Sequence, residues 1–185
     1  MNESYAIAGK GLKNMFTGQI IALAAIPVMI LSPLISIILI MGGGIISIVG
    51  LCQAMPAHEN YRKAVIMLVA GVVLSVVANL AAGSPVGTFF GAVGDVVSLL
   101  QIYFVCTATS ILLRELGYER EAASGDLVWK LNAACYLVII AASVVALVST
   151  LLGGIVAIVT GIVGIAASII YIVFLNKSYK ALLGQ

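Results

Sequence analysis

The sequence predicts an all-α, polytopic integral membrane protein, a bundle of six transmembrane helices, and three observations carry that prediction. First, 63% of the 185 residues are apolar and 9% charged, with a mean hydropathy of +1.23; water-soluble domains run at about 45–50% apolar and about 25% charged. So few charges cannot build a solvated shell. Second, polar or helix-breaking residues interrupt the apolar sequence at five places, leaving six stretches close to the roughly 20 residues that cross a hydrocarbon core. Third, all nine Lys and Arg residues fall in segments that six crossings bring to one face.

Residues 1–14 come first, with Tyr5, Ala8, Leu12 and Met15 on one helical face and Lys10 and Lys13 away from it, a pattern that predicts a short interfacial helix. The first span covers 15–31 and, lacking a small-x-small cleavage site behind it, is read as retained. The second covers 33–53 and opens on Pro33, which needs no N–H in the first turn and blocks continuation of the preceding helix. Gly83-Ser84-Pro85 separates the third span, 63–82, from the fourth, 86–113. Residues 114–130 then form a polar cytoplasmic loop, in which Gly117 ends the fourth helix and Ser124 or Asp126 caps the fifth. The fifth and sixth spans, 131–149 and 155–175, are parted by a break around 149–154, and residues 176–185 form a tail.

Orientation follows from the basic residues, because cytoplasmic segments near span ends retain Lys and Arg. Lys10 and Lys13, Arg62 and Lys63, Arg114, Arg120 and Lys130, and Lys177 and Lys180 all come to one side, whereas merging the first two spans strands the first pair on the other. Both termini are therefore expected in the cytoplasm of a bacterial-type plasma membrane. Tyr61, Trp129 and Tyr179, each preceding a basic residue, are expected as headgroup-level anchors. Lys13, Lys63 and Lys130 also mark the starts of three successive hairpins, which permits reading the chain as a tandem repeat. In size and span count the chain is similar to the small membrane-embedded substrate-binding subunits of energy-coupled vitamin uptake systems, a likeness of gross shape that carries no residue across.

Lipid chains are as apolar as Leu, so helices associate in a bilayer through close approach along small residues. Stripes of this kind run through Gly18, Ala22 and Ala25; Gly43, Ser47, Gly50 and Ala54; Gly71, Ser75, Ala78 and Ala82; Gly87, Gly91, Gly94 and Ser98; and Ala157, Gly161, Gly164 and Ser168. Gly43, Gly50, Gly71, Gly91, Gly161 and Gly164 are accordingly expected at helix contacts, and Leu at position 91 or 161 is expected to force backbones apart. Gly42-Gly43-Gly44 admits two readings, close packing or a broken helix whose carbonyls face an ion.

Chemistry is sparse. Asp95 is the one carboxylate outside the basic-side segments, and it admits two readings: an embedded group that takes a proton or a cation, or the N-cap of a helix beginning at Val96. Asn79 and Gln101 join it as a candidate polar site, and Gln19 is a further polar residue within a span. His58 is the single histidine, expected in a solvated loop, and Cys52, Cys106 and Cys135 lack metal-binding spacing, so no metal and no cofactor is expected. No nucleophile stands with a base and no glycine loop precedes a phosphate-binding lysine; the chain is read as non-enzymatic. A net charge of +2, spread in pairs, excludes nucleic acid as a principal partner. Partners are expected to be the bilayer and a second copy or another membrane protein, met through Arg114, Glu115, Glu119, Arg120, Glu121 and Asp126. The leading functional expectation is a structural or accessory membrane subunit, and the alternative is a small solute or ion carrier working through Asp95.

Overall fold

The structure, a computed structural model, describes residues 3–148 and 150–184, with side chains described except at 139, 140, 142–148, 150–158 and 160. Six helices account for nearly all of it: α1 Glu3–Leu31, α2 Pro33–Ala54, α3 Glu59–Leu80, α4 Pro85–Glu115, α5 Glu119–Val148 and α6 Thr150–Leu183, with a 3-10 turn Met55–Ala57 after α2. No strand occurs among the described residues. Among the described residues, five segments are long and apolar enough to cross a membrane: Glu3–Leu31, Pro33–Ala57, Glu59–Leu80, Pro85–Glu115 and Gly161–Leu183.

Local chemistry sets the helix ends. Ser32 is extended and Pro33 opens α2. The His58 ring accepts a hydrogen bond from the Asn60 N–H at 3.1 Å, which makes this histidine the N-cap of α3 and starts that helix four residues before Lys63. Ser84 accepts from the Gly87 N–H at 3.2 Å, with Pro85 in the first turn of α4. That helix closes as expected at Gly117, whose φ of +82° lets the Tyr118 N–H reach Leu113 O and its own N–H reach Arg114 O, each at 2.9 Å.

Several expectations are corrected. Residues 114–130 are not a loop: α5 begins at Glu119, Ser124 Oγ donates to Glu121 O, and Asp126 accepts from Arg114, so neither caps a helix. The reason is amphipathicity, since Ala122, Gly125 and Val128 at spacings of three bury one face while the charges stay in solvent. Residues 3–14 are continuous with the first span, and Ala8 and Leu12 on the face expected at the interface are fully buried in protein. Gly153 and Gly154 lie within α6, and Ser149 lies outside the described residues. Two of the three expected anchors are buried instead, Tyr61 hydrogen-bonded to Thr109 and Tyr179 packed against Phe16; Trp129, half-buried against Tyr103, keeps the exposure an anchor needs.

Consecutive helices pack as neighbours and α6 returns to α1, so the six form a ring in which α2 and α3 meet sparingly. Close approach is concentrated between α1 and α2. A Cβ on Gly50 would lie 2.5 Å from Gly11 O, and one on Gly43 would lie 2.5 Å from Gly18 O and 2.9 Å from Ala22 N. Gly11/Gly50 and Gly18/Gly43 thus interleave with a seven-residue repeat on each helix. Gly43 and Gly50 sit at helix contacts as the small-residue pattern requires, and α2 runs unbroken through Gly42-Gly43-Gly44. The other four are not part of such a close approach. A Cβ on Gly71 would make an ordinary contact with Val97 of α4 at 3.8 Å, and one on Gly91, Gly161 or Gly164 would meet nothing within 4 Å among the described residues. Small residues permit close approach without supplying the neighbour.

The interior is stratified. The buried core comprises residues 8–15 of α1, 51–54 of α2, 61–64 of α3, 105–113 of α4, 122–128 of α5 and 171–182 of α6. In every helix but α2, which carries neither Lys nor Arg, these positions lie at the end that carries the basic residues, and those of α2 lie at the end that meets Arg62 and Lys63 in sequence. Tyr61, Phe174, Leu12, Leu51, Leu113, Leu175 and Leu182 are its largest fully buried members, each at most 2% exposed.

Candidate functional site

One layer further along each helix, away from that core, lies a cavity of about 560 Å³. All six helices line it: Met15 and Gln19 from α1, Ser47 from α2, Leu68 from α3, and runs from the other three. On α4 the lining positions 95, 98, 101 and 102, on α5 132, 135 and 136, and on α6 161, 164, 165, 168 and 171 follow the spacing of a single helical face.

Asp95 reaches this cavity because α4 begins early. With Ser84 as the cap and Pro85 in the first turn, position 95 falls in the third turn and its side chain is half-buried. The N-cap reading of Asp95 is therefore corrected. Gln101 lines the same cavity, two turns on. Asn79 does not: it is exposed, donates to Ser75 O at 2.8 Å, and faces a shallower groove of about 350 Å³ between α3 and α4. Ser98 and Gln101 border both spaces, so the proposed trio divides across α4.

The lining spends part of its hydrogen-bonding capacity internally. Ser98 Oγ donates to Gly94 O, Ser168 Oγ to Gly164 O and Asn132 Nδ2 to Val128 O, each at 2.9 Å, and Ser47 Oγ donates to Met15 O at 3.5 Å. Among the described residues, no hydrogen bond or ion pair engages the Asp95 carboxylate or the Gln19 and Gln101 amides. The lining holds one carboxylate and no Lys or Arg. It therefore offers one negative charge ringed by neutral donors and acceptors, with the phenols of Tyr136 and Tyr171 among them. No group of three His, Cys, Asp or Glu side chains that could hold a metal occurs among the described residues.

No family model, curated protein or solved structure matches the chain. The site has to be read from its own chemistry. Asn132, Tyr136, Ser168 and Tyr171 were not in the sequence-derived site. Their signal is polar residues at spacings of three and four inside apolar helices, legible once Asp95, Ser98 and Gln101 are taken as one face.

The residues expected to form a partner loop lie at the end of α4 and in the first turns of α5, where several of them brace the basic end. Arg114 Nη2 contacts Asp126 Oδ2 at 2.8 Å, its Nε lies 4.0 Å from Glu119, and Glu115 accepts from the Tyr5 hydroxyl at 3.0 Å. Arg120 and Glu121 line a separate surface cavity with Lys177 and Lys180.

Proposed function

We propose that the protein is a six-span membrane carrier, with both termini in the cytoplasm of a bacterial-type plasma membrane, that binds a small polar or cationic solute at Asp95 and involves no catalytic step. The observation that carries this reading is the cavity itself: about 560 Å³, lined from all six helices, with one carboxylate and no basic side chain. Small-molecule sites fall at about 300–1,000 Å³. Depth supports it. Trp129 packs on Tyr103 with centroids 5.1 Å apart, and with that pair at the headgroup level Asp95, eight residues along α4, lies about 12 Å into a hydrocarbon layer about 30 Å thick. A carboxylate there costs about 2.5–3.5 kcal/mol or more on an insertion scale, and such groups face cavities that use them.

The other reading, an accessory subunit that meets a partner or a second copy through residues 114–126, draws support from the exposure of Glu115, Glu119 and Arg120 at the basic end. Cysteine accessibility separates the two. In a background with Cys52, Cys106 and Cys135 replaced, an impermeant cationic thiol reagent is expected to label cysteines at 95, 98 and 101, which line the cavity, and to spare 96 and 100, which face outward. Protection of all five positions, or equal labelling of all five, would overturn the carrier reading.

A further inference from the structure

We infer that the groove between the start of α5 and the end of α6 is a binding site for a phosphate-bearing anion, independent of the Asp95 cavity. It encloses about 460 Å³ and is lined by Tyr118, Arg120, Glu121, Ser124, Lys177 and Lys180. Arg120 and Ser124 are four residues apart on α5 and Lys177 and Lys180 three apart on α6, so each helix turns one face into the groove. Three cations stand against one carboxylate. The basic end has acidic residues enough to pair with them, yet its ion pairs are elsewhere: Lys63 with Glu59, and Arg114 with Glu119 and Asp126. Among the described residues none of the three groove cations has a carboxylate partner.

The chemistry selects the ligand. A guanidinium offers paired N–H donors that match phosphate oxygens, two ammonium groups add charge without fixed direction, and the Ser124 and Tyr118 hydroxyls supply neutral donors beside them. A carboxylate ligand would use less of this set. Ser124 also lies five residues before Trp129 on α5, about 7.5 Å along the helix. Basic pockets between helices at that level suit the headgroup of an anionic phospholipid. A soluble phosphate ester presents the same oxygens.

The test uses the full chain in neutral detergent, titrated with phosphatidylglycerol and with phosphatidylcholine and followed by native mass spectrometry. Phosphatidylglycerol is expected to bind more tightly than phosphatidylcholine. The Lys177→Gln/Lys180→Gln pair is expected to weaken it about 25-fold, at about five-fold for each charge near the surface. Lys10→Gln/Lys13→Gln, removing the same charge from α1, is expected to leave binding unchanged. Glu121→Gln is expected to tighten binding about five-fold, a gain that a misfolded variant cannot imitate. Competition by millimolar glycerol 3-phosphate would assign the site to a soluble ligand, and its absence to a lipid; both uphold the site. Equal losses from the two lysine pairs, or no gain with Glu121→Gln, would overturn it in favour of diffuse surface charge.

Discussion

Adding one methyl group at Gly50 tests the packing argument most directly. A Cβ there would lie 2.5 Å from Gly11 O and 2.6 Å from Met15 N, as much as 0.9 Å inside the 3.4 Å at which ordinary contact begins, and both neighbours are backbone. No side chain can rotate away, so α1 and α2 must separate. Separation also stretches the Asn14–Gln53 hydrogen bond of 2.7 Å and the Ser47–Met15 bond of 3.5 Å. Overpacking of this kind costs about 1–3 kcal/mol, or roughly five-fold to a hundred-fold in the ratio of folded to unfolded protein. Gly161→Ala is the control, because its Cβ meets nothing within 4 Å among the described residues; relief of the glycine helix penalty predicts anything from no change to a gain of about 1 kcal/mol. Equilibrium unfolding of the two variants in mixed micelles should therefore move in opposite directions or leave Gly161→Ala in place. Equal stability of Gly50→Ala and the parent protein would refute the claim that the glycine seam sets the α1–α2 distance.

Thr109 Oγ donates to Val105 O at 2.8 Å and lies 2.8 Å from the Tyr61 hydroxyl, so Tyr61 must be the donor between them. Tyr61→Phe then removes a donor that nothing else needs, at about 1 kcal/mol, whereas Thr109→Val leaves a buried phenol unpaired, at about 1–3 kcal/mol; unfolding curves that reverse this order would refute the assignment. Gly117→Ala places a Cβ at a φ of +82°, at a cost of about 1–2 kcal/mol, and denaturant titration should show that loss although its side chain would meet no neighbour.

The parts of this fold that are legible in the sequence are those that local chemistry decides. Pro33, Gly83-Ser84-Pro85 and Gly117 end or begin helices through backbone constraints that need no partner, and each boundary lies within two or three residues of its expected place. The expected length of α5 misses twelve residues because charge density between 119 and 130 looks like a linker, while its buried face rests on three small or branched residues whose partners, Ser110 and Phe174, are remote in sequence. The His58 cap depends on one side-chain rotation that composition does not express. The cavity is half legible. Asp95 and Gln101 lie six residues apart on one helix, about 120° around it, and Ser98 between them joins the two into one broad face; Asn132, Tyr136 and Tyr171 join them only through the order of helices around the ring. Gly91 and Gly161 mislead for the same reason: a stripe of small residues is a property of one helix, and a seam is a property of two.

On the proposed placement, the stratification of the interior follows from which solvent each layer meets. Burial of apolar surface drives packing only where the alternative is water, and lipid offers no such drive between helices. The helices α1, α4, α5 and α6 run to 29, 31, 30 and 34 residues, well beyond the roughly 20 that a bilayer requires. Their surplus turns carry Leu113, Phe174 and Leu182, which pack in one core with Tyr61 of α3. Within the bilayer the α1–α2 glycine seam brings two backbones into close contact, and the ring of six helices encloses the Asp95 cavity. The packed layer therefore closes the cavity toward the cytoplasm. A carrier cycle has to open that layer, and the Tyr61–Thr109 hydrogen bond, which ties α3 to α4 directly below the cavity, is among the contacts that must yield. Weakening it with Tyr61→Phe should let a cysteine at position 98 react with a thiol reagent supplied from the cytoplasmic side. Unchanged protection from that side would mean the core is a fixed floor, and the carrier reading would lose its inner exit.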